Sequence, residues 1–289
     1  SGHADNEILI DNFSLKEVGV ASGWTDADQQ LHIPQTALQS YNELAWFGGV
    51  GDYCEIADHD NLSFDAFSVS AWINMNDATN FGVVSKGAYN SNAEWLFITE
   101  GADKLKLYIA DESVASCIIG RATAALTSKE GEWLHVVGTY DGGTASSGVK
   151  VYVNGVQSDD ANAEVNPGSF VAMENLGAPV HIGNYKNVHY ANGCITETSL
   201  WDKELSSTEV LELFNDGKAL DASTHSASSN IKGYWRNNGL STWSNLVNPG
   251  TNDGTPTSIT ETILIPQGVD STRDAQGFIM NKQKDTSCL

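Results

Sequence analysis

The stretch 149–157, VKVYVNGVQ, constrains the fold more than any other part of the chain. Val149, Val151 and Val153 fall on one side of an extended backbone, while Lys150, Tyr152 and Asn154 fall on the other. A period of two is the geometry of a strand with one buried face. Asn154-Gly155 then supplies two residues that tolerate positive φ, the requirement of a tight hairpin turn. The run from Trp133 to Tyr140, aromatic and β-branched, provides a further strand just before it.

The same signal recurs along the chain. Strand-like runs stand at 44–47, 53–57, 67–74, 81–86, 95–99, 104–110, 116–120, 133–140, 149–154, 179–183 and 194–201, joined by segments rich in Gly, Asn and Asp. Many short strands with polar turns predict an all-β jelly-roll or sandwich. With 289 residues, 40% of them hydrophobic, the chain can bury a large core. One helix interrupts the pattern. Ser206-Ser207-Thr208-Glu209 is a capping box, with Ser206 as N-cap and Glu209 at N3. Leu205 and Val210 occupy the staple positions, Val210, Leu213 and Phe214 form an apolar stripe, and Gly217 closes the helix. A lone short helix of this kind is expected to plug an open end or cover an edge.

The two ends differ from the middle. Residues 8–19, ILIDNFSLKEVG, read as one strand without a local partner, so 1–20 is expected to be the last strand of a preceding β-domain or an arm. Residues 21–42 are turn-rich and read as a linker, 43–265 as the compact domain, and 266–289 as a tail with little periodicity. That organisation is expected of one segment of a larger multi-domain protein. Cys54, Cys117, Cys194 and Cys288 form no C-x-x-C pair, which is the wrong spacing for a compact zinc site. Cys54 and Cys194 lie in strand-like runs; buried free thiols are the favoured reading, with a disulfide between adjacent strands as the alternative.

Fifteen basic residues against 37 acidic ones give a formal charge of −22. Such a surface repels phosphate backbones and anionic membranes, so neither a nucleic acid nor a membrane is expected as partner. No run approaches the ~20 apolar residues of a membrane helix, and the N-terminal stretch lacks a charged-then-apolar signal pattern.

Four longer stretches resemble a known family. GDYCEIADHDNLSFDAFSVSAWI (51–73) resembles the opening strands of laminin-G-like, concanavalin-A-like jelly-roll domains, and EWLHVVGTYDGG with VKVYVNGV (132–156) resembles their hairpin. GCITETSLWDKELSSTEVLELFNDG (193–217) is similar to their late strand and capped helix, and IKGYWRNNG with TNDGTPT (231–257) to their closing strand. The resemblance implies a concanavalin A-like jelly-roll β-sandwich with one short capped helix. The strings IPQTALQSYN and ETILIPQGVDSTRDAQGF resemble segments of marine bacteriophage tail or virion proteins, which implies a virion or extracellular setting.

The same shape houses lectins, structural modules, glucanases and lyases, so chemistry must choose among them. Jelly-roll glucanases carry E-x-D-x-x-E on one strand, because acid and nucleophile flank one glycosidic bond. Here Glu197 and Asp202 have the wrong spacing, with Asp202 at the strand end. The arginine-rich strand of the lyases is missing, as are nucleophile elbows, P-loops and H-E-x-x-H. No catalytic residue is expected. Sugar recognition needs aromatic faces beside hydrogen-bonding groups. NYKNVHYANG (184–193) offers Asn184, Tyr185, His189 and Tyr190, while AYNSNAEW offers Tyr89, Asn92 and Trp95. Trp72, Trp133, Trp201 and Trp235 are expected in the core, and His135 as a satisfied strand residue.

Calcium is the expected cofactor, structural or ligand-bridging. Asp58 and Asp60, in the Asp58-His59-Asp60-Asn61 loop, and Asp141 are its candidate ligands, since hard cations take oxygens. Asp111-Glu112 is a further acidic pair. The combined reading is a non-catalytic lectin-like adhesion module on an extracellular or virion surface. It would bind a cell-surface or marine polysaccharide and other segments of its parent assembly, with homo-oligomerisation left open. Two alternatives stay open: a spacer or decoration of a phage tail or capsid, and a polysaccharide lyase or glycoside hydrolase with an unfamiliar site.

Overall fold

Period-two runs pair into two antiparallel sheets whose apolar sides close on one another. The computed structural model describes residues 43–88, 91–114, 117–185 and 189–264. The strands of the first sheet are β1 (Glu43–Gly48), β3 (Phe67–Met75), β8 (Trp133–Tyr140), β9 (Val149–Val153), β10 (Val156–Gln157), β15 (Asn192–Trp201), β16 (Ile231–Trp235) and β18 (Glu261–Leu264). Their order is β10-β9-β8-β3-β15-β1-β18, with β16 also on β15. The second sheet holds β2 (Tyr53–Ile56), β4 (Gly82–Ala88), β5 (Ser91–Glu100), β6 (Lys104–Asp111), β7 (Cys117–Ala125), β11 (Asp159–Val165), β12 (Val180–Ile182) and β17 (Gly254–Thr257). It runs β11-β7-β6-β5-β4-β12-β2-β17. A small hairpin, β13 (Asn184–Tyr185) and β14 (His189–Tyr190), stands apart. The expected hairpin at Asn154-Gly155 is present, with Val156 paired to Val153.

Phe67, Trp95, Phe97, Leu107, Ile109, Val136, Val151, Ile195 and Trp235 are buried between the sheets. The Phe67 and Trp95 rings meet at 5.2 Å. Cys54 belongs to this core, whereas Cys194 lies with Leu44, Trp72 and Trp133 in a separate cluster; both thiols are free. Burial pushes both thiols up.

The first sheet is buried on its other side as well. Helix α1 (Ser207–Phe214) starts in the expected capping box and packs there. Leu205, Val210 and Leu213 are buried with Tyr152 and Trp201. Phe214 stacks on Trp72 at 6.1 Å and on His135 at 6.0 Å. The helix therefore roofs a sheet face rather than plugging an end, because its stripe meets a row of outward-facing aromatics. Trp72, Trp133 and Trp201 are buried on this roofed face, and Trp235 between the sheets. Asn215 takes the left-handed conformation that ends the helix, two residues ahead of Gly217, since asparagine tolerates positive φ.

The roof leaves a charged network beneath it. Glu197 breaks β15 with φ +50, at the point where the pairing with β3 shifts. Its carboxylate accepts a hydrogen bond from Tyr234 and pairs with Arg236 Nε at 3.3 Å. Arg236 Nη2 reaches Asp221 in the roofing segment at 2.8 Å. Burial pushes the Glu197 carboxyl up, against the pull of Arg236. Arg236→Met should therefore cost about 3–5 kcal/mol in denaturant unfolding, because it strands a buried carboxylate. The double variant Arg236→Met/Glu197→Gln should recover part of that loss.

His135, held between Trp72 and Phe214 and bonded to Ser70 Oγ at 2.9 Å, is pushed down to about 3 by burial. Below its ordinary pKa near 6.5 the unfolded chain gains a proton that the folded chain refuses. Stability from this group is thus full above about pH 6.5 and falls as pH drops toward 3. Urea titrations should show His135→Gln losing about 2 kcal/mol less than the parent between pH 7 and pH 5.

Candidate binding face on the second sheet

The one α-helix among the described residues packs on the first sheet, and the second carries the β13–β14 hairpin on its outer side. Cys54, Ile56, Val180, Ile182, Val84, Trp95, Phe97, Leu107, Ile109 and Ile119 point into the core. Alternation then sends the intervening residues outward. In cross-strand register the outward row reads Glu55, His181, Ser85, Leu96, Tyr108 and Gly120, drawn from six neighbouring strands.

The row is polar and aromatic. The Tyr53 ring lies 4.9 Å from that of His181, whose Nε2 is 3.2 Å from Glu55 Oε2. Ser85 Oγ donates to the Asn184 carbonyl at 2.8 Å, which ties the β13–β14 hairpin to this face. Tyr185 packs on Leu96 and Ile98, with Tyr108 against the same cluster. His189 meets the Tyr185 ring edge-on at 5.3 Å, and His189 and Tyr190 remain half-buried. Lys106 Nζ sits 5.4 Å from the Tyr108 ring centre and pairs with Glu100 at 3.5 Å. Tyr108 lies across Gly120, where an added Cβ would come within 2.4 Å of its ring.

This arrangement can stack and hydrogen-bond a flat polar ligand. It lacks the carboxylate pair of a glycosidase. Glu55 on β2 and Glu100 on β5 are separated by β12 and β4, and Glu100 lies four residues along β5 from Leu96 in the Glu55 row, so they stand well over about 14 Å apart. Glycosidase pairs stand within about 10 Å.

The sequence-predicted residues divide between two places. Asn184, Tyr185, His189 and Tyr190 stand beside the open face, but Asn184 and Tyr185 are buried and shape the hairpin. Trp95 is fully buried against Phe67 and shows no face to solvent, because it falls on the inward side of β5. Asn92 is exposed, with φ +60, at the opposite end of the sandwich. Tyr89 lies outside the described residues. Tyr53, His181 and Tyr108 carry the face without having been singled out. Their signal was the alternation within YCEI, VHI and KLKLYIAD.

Asp58, Asp60 and Asp141 follow β2 and β8 at the Asn92 end. Asp58 Oδ1 is 2.9 Å from Lys86 Nζ. Asp60 is exposed and opens a 3-10 turn over residues 60–62 that buries Leu62. Asp141 Oδ1 accepts the Gly143 amide at 2.7 Å, and it closes its own turn. Asp111 is taken up by Ser113, Val114 and Val171. Among the described residues no three His, Cys, Asp or Glu side chains gather where they could hold a metal. Asp58, Asp60 and Asp141 are thus not gathered into one such cluster.

Residues 47–211 match a family described as the Concanavalin A-like lectin/glucanases superfamily. No curated protein matches the chain. A crystal structure of a candidate carbohydrate binding protein from Bacteroides ovatus is similar, with TM-score 0.51 and 16% identity over 78% of this chain and 60% of that one. The match thus spans less than two thirds of that protein's length. The heptameric SAP-like pentraxin of Limulus polyphemus gives TM-score 0.41 and 14% identity, over 60% of this chain and 81% of that one. Domain 4 of AbnA, a GH43 extracellular arabinanase from Geobacillus stearothermophilus in complex with arabinotriose, gives 0.41 and 19%, over 55% and 71%. At these identities the likeness is one of fold.

Gly120→Ala should lift Tyr108 off β7 and lower stability by about 1–3 kcal/mol, the range for overpacking. Chemical denaturation with tyrosine fluorescence as a second readout checks it; unchanged stability and spectrum would mean that the ring does not lie there.

Proposed function

This chain belongs to the Concanavalin A-like lectin/glucanases superfamily, and from that membership we propose that it is a non-catalytic carbohydrate-binding module. The observation that carries the reading is the outer side of the second sheet, where Tyr53, Glu55 and His181 cluster on β2 and β12 and Tyr108 stands three strands further on, on β6, with the β13–β14 hairpin over Ser85 and Leu96 between them. A pyranose has an apolar face and a rim of hydroxyls. Aromatic rings meet the first, and carboxylate, imidazole and hydroxyl groups meet the second. The formal charge of −22 favours uncharged polysaccharides over uronates and sulfated polymers.

The setting we propose is the outside of a cell or a virion, within a larger protein. What supports it is the resemblance of IPQTALQSYN and ETILIPQGVDSTRDAQGF to phage tail segments. Among the described residues no helix is long and apolar enough to cross a membrane. A spacer role is served less well by this architecture. Glu43 in β1 pairs with Leu264 in β18, so the chain enters and leaves the described unit at one point and gains no length across it.

A panel of neutral and anionic polysaccharides, read by affinity electrophoresis with and without chelator, tests the reading. Binding to at least one neutral glycan is expected. Tyr53→Ala and Tyr108→Ala should each weaken it about fivefold or more, and Tyr190→Ala less, since central aromatic anchors carry most of the affinity. Silence across the panel, or binding untouched by the Tyr53 and Tyr108 changes, would overturn the assignment.

A further inference from the structure

We propose that the ammonium group of Lys86 is the resident cation of the sandwich rim, and that the loops there are held without calcium. Lys86 lies on the inward side of β4, opposite Trp95 and Val180, and its side chain is 0% exposed. The buried alkyl stem delivers Nζ to the end of the sandwich, where it stands 2.9 Å from Asp58 Oδ1 and 2.5 Å from Glu94 Oε1. Glu94 is 1% exposed in its side chain, and its Oε1 also accepts the Leu176 amide at 3.1 Å. One cation thereby ties together the loop after β2, the strands β4 and β5, and the loop before β12.

Two carboxylates turned toward one point require positive charge there, from a hard cation or from an ammonium. Lys86 takes that position. Calcium binds oxygen at about 2.3–2.6 Å and would meet both the bulk and the like charge of the ammonium. The second Glu94 oxygen, Oε2, is buried without a protein partner. The assignment is independent of any glycan bound on the open face.

Differential scanning calorimetry and calcium titration calorimetry on the full chain test the proposal. The wild-type midpoint should be the same within about 1 °C in millimolar calcium and in EDTA. Lys86→Met should lower it by about 10 °C, the scale of a broken buried ion pair in a domain of this size. Lys86→Met/Asp58→Asn/Glu94→Gln should regain much of the loss, because the damage is uncompensated charge. Calcium that binds the wild-type chain and raises its midpoint, with both effects lost in Asp58→Asn, would overturn the assignment. So would a Lys86→Met variant as stable as the parent. Should Lys86→Met fail to fold, the calcium titrations of wild type and Asp58→Asn still decide.

Discussion

Everything else in this molecule depends on the closure of two sheets over one apolar layer. Phe67 from the first sheet and Trp95 from the second meet at 5.2 Å, with Tyr140 6.1 Å from Phe67. Neither sheet can bury its inward side without the other, so the strand alternation becomes binding on every residue of both. An inward tryptophan is thereby lost to recognition, and an outward tyrosine is released for it.

The two outer sides then meet opposite fates. The first sheet is roofed by α1 and the segment after it, so its polar groups must find partners inside the protein. Ser70 pairs with His135, Trp201 Nε1 donates to Ser199, and Glu197, Tyr234, Arg236 and Asp221 form a chain of charges. A network of that kind fixes the roof in one place and makes its loss costly. The second sheet is covered at its centre by the β13–β14 hairpin, which buries Ser85 and Leu96, while Tyr53, Glu55 and His181 on one side of it and Tyr108 on the other stay partly exposed. Binding is proposed there because the fold has already spent the other side on stability.

The fold was legible because its signals are local. Alternation in VKVYV, the Asn154-Gly155 turn and the Ser206 capping box each involve residues a few positions apart. The site was legible only in part, because a sheet face is assembled across strands. Tyr53 and His181 lie far apart in sequence and meet only through lateral pairing, and Tyr108 shares their side of the sheet three strands further on. Alternation shows that such residues share a side, but not which side will be covered. Trp95 shows the same limit: next to a polar loop in sequence, it falls on the inward side of β5 and lies in the core. The ion pair of Asp58 with Lys86, 28 positions away, is likewise not legible from local sequence.

The pairing of β1 with β18 bears on how such a module works in a longer chain. Glu43 faces Leu264, so whatever precedes and follows the described unit departs from neighbouring strands on one edge of the first sheet. The open face belongs to the other sheet, across the full thickness of the sandwich. Two packed sheets are about 10 Å apart, so the attachment strands and the binding row lie in different layers. A ligand can then approach the second sheet without crossing the tether. The rim secured by Lys86, Asp58 and Glu94 closes one end of that platform, and the β13–β14 hairpin packs on Ser85 and Leu96 at its centre. With one end and the centre fixed and the roof on the far layer, the outward row is presented on a rigid support. The ordering entropy of its side chains is met largely in folding, which leaves more of each contact to contribute to affinity.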